Sequence, residues 1–310
     1  MYTVRFASAG VARRFPLAVS GDAEWRPAAS GIACDVELPV LEPGDIVVPS
    51  LALGRTDAGH RVDFMVGDTI WPLAPIGALA TSSGPPGDAR ARTHIDYVSV
   101  HARIEGARLR FESSALPIDY LLTVSVRPER IVPEAGTATA HRLVVPALSQ
   151  LTAPRTIRRR ICAPTCVAMV LAYFERAAPL ASIVGDCYHT ESGIYGVWPL
   201  SVRAAARRGI LGAVEALDSL DTVAALLANG TPVVASIRFE EGALAGAPLR
   251  CTHGHLVVVT GLDRDQVHVN DPASPQLSDV PRSYDRDAFA KAWLGARGAA
   301  YVFCRPDAAP

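Results

Sequence analysis

ICAPTCVAMVLAYFERA, residues 161–177, is the stretch from which the fold of the second half is read. Val167, Val170, Leu171 and Phe174 recur at helical spacing. Pro164 suits the first turn of that helix, where the N–H it lacks would have no intrahelical partner. Cys162 therefore stands at or just before a helix start, beside the positive end of the helix dipole. That position favours a thiolate, the form in which cysteine attacks. Cys166 lies one turn further in, points along the helix toward the core and loses most of the dipole effect. Of the two, Cys162 is the candidate nucleophile.

Outward from this helix, residues 144–310 mix helices and strands. WPLSVRAAARRG (198–209) and SLDTVAALLANG (219–230) read as helices, the second with Ser219 as N-cap and Gly230 just past its end. PVVASIRF, HLVVVTGLD and QVHVND read as strands, DRDAFAKAWLG as a last helix and AAYVFCRP as a last strand. One helix leading into a later antiparallel sheet indicates α+β and not a doubly wound parallel sheet. Residues 1–130 read differently. DVELPV, DIVVPSLAL, RVDFMV, HIDYVSVHARI, RLRFES and YLLTVSVR are short strand-like runs, punctuated by Pro43-Gly44, Gly84-Pro85-Pro86-Gly87, Gly106 and Pro117. They predict an antiparallel β-sandwich-like domain, joined to the second domain by an aperiodic linker at 131–143.

A nucleophilic cysteine needs a base, and the base needs an orienting group. His255 opens an apolar strand just after Gly254, and His253 is its rival two residues away. Asp271 ends the next strand. For Asp271 and His255 to share a sheet face, the hairpin loop between them must hold an odd number of residues, or a bulge must intervene. Gln150, ahead of the cysteine, is a candidate donor to an oxyanion.

Thirty basic and 31 acidic residues leave a net charge of −1, so no global field points to nucleic acid or an anionic membrane. No run approaches the roughly 18 apolar residues of a membrane span. The first residues lack a secretory apolar run, which gives a cytoplasmic compartment as the default expectation. Six cysteines are too few for a disulfide scaffold. Cys187 and His189 lack the second ligand pair that metal binding would need, so no metal is expected.

The words VPALSQ, CAPTCVAMVLAYF, YGVWPLSVRAAARRG, LLANGTPVVASIRF, GHLVVVTGL, VHVNDPAS and YDRDAFAKAWL, in that order, carry a resemblance. Over roughly residues 144–307 the chain resembles the bacteriocin-processing peptidase family and its stand-alone bacterial relatives, in the papain-like cysteine peptidase clan. The resemblance implies Cys162 as nucleophile, His255 as base in preference to His253, Asp271 as its orienting carboxylate and Gln150 in the oxyanion hole. It also implies Trp198 and Gly254 in the substrate cleft, a peptide or protein substrate and no cofactor. Two departures stand out: TAPRTIRRR lengthens the segment between Gln150 and Cys162, and Ala163 replaces the glycine of the transporter-linked members. With no membrane span and no phosphate-binding loop, leader removal during export is not expected. The expected activity is peptide hydrolysis. Acyl transfer to an amine through the same triad and a catalytically silent binding protein are the alternatives.

Overall fold

A computed structural model describes residues 1–305 apart from 55, 56, 78 and 117, so the turn at Pro117 lies outside the described residues. The first half contains β1 (Tyr2–Ala7), α1 (Ala9–Ala12), β2 (Arg26–Ala28), β3 (Gly31–Glu37), β4 (Asp45–Leu53), β5 (His60–Val66), β6 (Thr69–Pro72), β7 (Ala91–Thr93), β8 (Val98–Val100), β9 (Ala107–Ser113) and β10 (Tyr120–Pro128). They form two five-stranded antiparallel sheets, ordered β1-β10-β4-β8-β7 and β2-β3-β9-β5-β6. Alternation decides what each face does. On β3, Cys34 and Val36 point inward, while Asp35 stays at the surface paired with Arg110. On β4, Val47, Leu51 and Leu53 join a core shared with the second sheet.

The other face of β4 is buried too. Ile46, Val48 and Ala52 belong to the core of the second half of the chain. A strand covered on both faces needs a near-continuous apolar run, and DIVVPSLAL is one. The first sheet is thus a middle layer. Its polar residues make specific contacts with the second half. The Arg5 guanidinium pairs with the fully buried Glu215 through two bonds of 2.7 Å. Ser50 Oγ accepts from the Val214 N–H at 3.0 Å. Arg127 donates to the carbonyls of Leu217, of Leu294 at 2.9 Å and of Ala296.

The second half contains α2 (Cys162–Tyr173), α3 (Leu180–Asp186), α4 (Trp198–Ala206), β11 (Gly212–Ala216), α5 (Leu220–Ala228), β12 (Val233–Phe239), β13 (Thr252–Leu262), β14 (Gln266–Asn270), β15 (Pro281–Asp285), α6 (Arg286–Trp293) and β16 (Ala299–Phe303). Its strands form one antiparallel sheet, β11-β16-β12-β13-β14-β15. Every residue of α2 from Ala163 to Leu171 is buried. The helix expected from its apolar spacing is therefore present as a central element, buried on all sides. Around α5 the expected caps are present. Ser219 Oγ accepts from the Asp221 N–H at 2.9 Å, and Gly230 follows the helix end with φ +71°. Between the halves, residues 131–143 form no helix or strand. Their last part lies along the sheet, with Ala140 bridged to Leu262 and the Leu143 N–H on the Thr260 carbonyl at 2.7 Å.

Candidate active site

The site forms where the start of α2 meets the start of β13 and the end of β14. Cys162 is the first residue of α2 and is half-buried. The His255 imidazole and the Ala163 and Leu256 N–H groups surround its sulfur and favour the thiolate. Burial opposes the thiolate, but the imidazole and the two N–H donors outweigh it and hold the thiol below its ordinary pKa. Cys166 donates its thiol to the Leu256 carbonyl at 3.3 Å, and burial pushes its pKa well up. The N–H and the carbonyl of one residue, Leu256, thus treat the two sulfurs oppositely.

His255 lies on β13 and is 3 % exposed. Its Nε2 bonds Asp271 Oδ1 at 2.8 Å, which leaves Nδ1 for the Cys162 sulfur. Burial would lower its pKa, yet the Asp271 carboxylate and the sulfur raise it to about 10. Asp271 is 1 % exposed. Burial disfavours its charge, but His255, the Tyr284 hydroxyl and the Ala273 N–H hold it below the usual carboxylate range. Tyr284 Oη donates to Oδ2 at 2.7 Å and the Ala273 N–H to Oδ1 at 2.9 Å. A buried carboxylate satisfied on both oxygens cannot turn away from the imidazole. The three side chains lie in series, sulfur to imidazole to carboxylate.

The hairpin solves the parity problem with a bulge. Leu262 faces Val267 and Gly261 faces His268, so the loop is even. The register then slips by one residue at Thr260, after which Val259 faces Val269 and Val258 faces Asn270. Continuing that register puts Asp271 opposite Val257, two residues from His255 and on the same face. A second irregularity separates the two histidines: Ile237 faces His255, whereas Phe239 faces Thr252. His253 is thereby exposed while His255 is buried.

Gln150 is buried, with its N–H on the Pro272 carbonyl at 2.9 Å and Nε2 on the Arg158 carbonyl at 2.8 Å. The second hydrogen of that Nε2 is spare. Gly254 is exposed, has no left-handed backbone angle, and a Cβ built on it would meet nothing within 4 Å. Trp198, the first residue of α4, is 5 % exposed and sits apart from the triad contacts, against Tyr97 and Arg297. Its backbone N–H bonds the half-buried Asp96 of the first half at 3.0 Å, whose carboxyl is pushed up to about 6 by desolvation. His189 Nδ1 pairs with Ser192 Oγ at 2.8 Å, and the buried Cys187 thiol is pushed up to about 12. No group of three metal-ligating side chains occurs among the described residues. Nor is any described helix long and apolar enough to cross a membrane. Sequence reasoning missed Tyr284 and the Leu256 and Ala273 N–H groups. Tyr284 falls within a quoted word, YDRDAFAKAWL, but only the β14–β15 pairing reveals what its hydroxyl meets.

Two solved structures are similar over about half of the chain. One is a double glycine motif protease from an AMS/PCAT transporter, in complex with the leader peptide; it is 21% identical, with a TM-score of 0.39, and the match covers 55% of this chain and 99% of that one. The other is a C39-like peptidase from Bacillus anthracis, 18% identical with a TM-score of 0.40, covering 53% and 96%. No curated protein matches. The Peptidase_C39 like family matches residues 142–301, more than half of the chain and the whole stretch that carries Gln150, Cys162, His255 and Asp271. The chain belongs to the Peptidase_C39 like family.

Proposed function

We propose that the chain is a cysteine peptidase that hydrolyses peptide bonds through Cys162, His255 and Asp271. The observation that carries the reading is the buried His255, bonded through Nε2 to Asp271, with its imidazole near enough to the Cys162 sulfur to favour the thiolate. The thiolate attacks the peptide carbonyl carbon and a C–S bond forms. The oxygen takes the negative charge, stabilised by the Gln150 amide and the Cys162 N–H, which belongs to the unpaired first turn of α2. The C–N bond then breaks, and the imidazolium gives its proton to the leaving amine. A water, deprotonated by His255, hydrolyses the thioester and restores the thiol. No step requires a cofactor. The open space at Gly254 suits close passage of a substrate backbone, since nothing in the fold itself asks for glycine there.

In this reading the β-sandwich-like half, residues 1–130, is a domain that packs on the peptidase domain at 144–310 through the contacts of Arg5, Ser50 and Arg127. The deciding experiment follows Cys162 alkylation against pH in the wild type and in His255→Ala, with peptide products read by mass spectrometry. Reactivity well below pH 8 that vanishes in the variant supports the pair; a thiol that titrates like a free one in both sinks it. Running the peptide assay with and without added amines distinguishes hydrolysis from acyl transfer.

A further inference from the structure

We propose that the arginine loop between Gln150 and Cys162 selects peptides that carry acidic side chains beside the scissile bond, an inference that rests on the peptidase reading above. From Val144 to Tyr173 the chain holds four arginines, at 155, 158, 159 and 160, and no acidic residue, although the whole chain is nearly neutral. Several arginines elsewhere are paired: Arg61 with Glu112, Arg110 with Asp35, Arg207 and Arg208 with Asp186. In the loop, only Arg160 is engaged, over the Tyr195 ring at 5.6 Å and on the Gly193 carbonyl. Among the described residues no carboxylate pairs with Arg155, Arg158 or Arg159.

The loop is held against the site at both ends. Gln150 ties its start to the Pro272 carbonyl, next to Asp271, and reaches the Arg158 carbonyl with its side chain. Its end runs directly into Cys162. Within it, the Ile157 and Arg158 N–H groups both bond the Pro154 carbonyl at 3.0 Å, and the Arg160 N–H bonds that of Ile157 at 2.8 Å. The loop backbone is therefore held beside the nucleophile, and the Arg155, Arg158 and Arg159 side chains extend from it, Arg155 and Arg159 exposed and Arg158 half-buried. They do not serve to ionise the nucleophile. Against burial, the Cys162 thiol is lowered by His255 and two backbone N–H groups, with no contribution from the arginines. An unpaired positive field at the mouth of a site concentrates and orients an anionic ligand. The group that must pass this mouth is a peptide, and its anionic side chains are Asp and Glu.

The test measures binding first, so that it does not depend on turnover. The probes are short dye-labelled peptides of one Ala-Gly-Leu background carrying Glu, Gln or Lys. Their affinities are compared by fluorescence anisotropy on the full chain with Cys162→Ala, at low and high salt. The expected result is Glu peptides binding about fivefold tighter than Gln peptides at low salt, as two or three exposed ion pairs would give. Lys peptides bind more weakly, and salt erases the differences. Adding Arg155→Gln, Arg158→Gln and Arg159→Gln brings the Glu-to-Gln ratio to one; because it is a ratio within one variant, general damage cancels. Equal binding in the Cys162→Ala chain, or a ratio that survives removal of the arginines, overturns the proposal. Turnover by the wild type is scored separately. Peptides cut without regard to charge would leave the peptidase standing and this inference refuted. Arginine-dependent binding of acidic peptides with no cleavage would do the reverse.

Discussion

The chemistry at the residue scale is set by what surrounds one imidazole. With the Cys162 pKa lowered and the His255 pKa raised to about 10, the charged pair exists across the interval between them. Alkylation of Cys162 should rise along an acid limb where the thiolate first forms and then stay high. Peptide hydrolysis also needs the imidazolium proton, so kcat/KM should fall again near pH 10. Stability follows the same groups. The contribution of His255, whose folded pKa lies above its ordinary 6.5, is complete below 6.5 and is lost as the pH rises toward about 10. That of Asp271, whose folded pKa lies below 3.8, is present above 3.8 and is lost as the pH falls through the lower folded value. Thermal melts against pH should therefore show a plateau between roughly 4 and 6.5 that declines on both sides. Tyr284→Phe removes the hydroxyl that donates to Asp271 Oδ2, and should cost about 1–3 kcal/mol for the buried oxygen left without it. If Tyr284 also holds Asp271 in position, kcat falls more than KM rises. An unchanged pH–rate profile in Tyr284→Phe would show that the hydroxyl matters to folding alone. Cys162, His255 and Asp271 were legible because each stands at the end of a patterned element. Tyr284 was not, because no local pattern marks which strand neighbour a hydroxyl will meet.

The element that aligns the site is the β13–β14 hairpin, and its one extra residue does the work. Sequence reasoning posed the parity condition correctly but could not choose between an odd loop and a bulge, since Asp263-Arg264-Asp265 suits turns of either length. The structure has an even loop and a bulge at Thr260. The free carbonyl there is taken by the Leu143 N–H. The segment read as a linker thus supports the residue that brings Asp271 to face His255. Deleting Thr260 should restore an unbroken ladder and turn Asp271 to the opposite face. The expected result is a folded chain by circular dichroism whose Cys162 alkylation profile has moved toward that of His255→Ala. A deletion variant that keeps low-pH reactivity would show that the bulge is not what sets the pairing. A similar slip beyond Ile237 explains why His253, equal to His255 on spacing alone, ends at the surface. The arrangement of α2 was harder to read. Its apolar spacing predicted the helix, and only the packing of β13 and two further helices against it shows that the helix is enclosed.

At the scale of the whole molecule, the first half keeps a core between its two sheets, but the outer face of its first sheet is absorbed into the core of the second half. The strip of β1, β10 and β4 that faces away from the second sheet is closed by β11 and its neighbours, and Ile46, Val48, Ala52 and Leu121 share one cluster with Val214 and Leu217. The apolar run of DIVVPSLAL held this information, since a strand with one solvated face would alternate. What covered the second face could not be read from it. Buried polar groups make the junction specific. Glu215 without Arg5 would be an unpaired carboxylate in the core, and the carbonyls of Leu217, Leu294 and Ala296 depend on Arg127. Arg127→Ala should therefore destabilise the chain by at least about 2 kcal/mol through carbonyls left unsatisfied. Because the core is continuous across the junction, that loss should appear in both halves at once. Independent domains joined by a linker would unfold as separate steps. Calorimetry of the full chain should instead show one transition, with near-ultraviolet dichroism of the first half and loss of Cys162 low-pH reactivity falling at the same temperature. In Arg127→Ala the single transition should shift down by a few degrees without splitting. Two transitions in the wild type, or a variant in which the first half melts while Cys162 stays reactive, would mean that the shared core does not couple the halves.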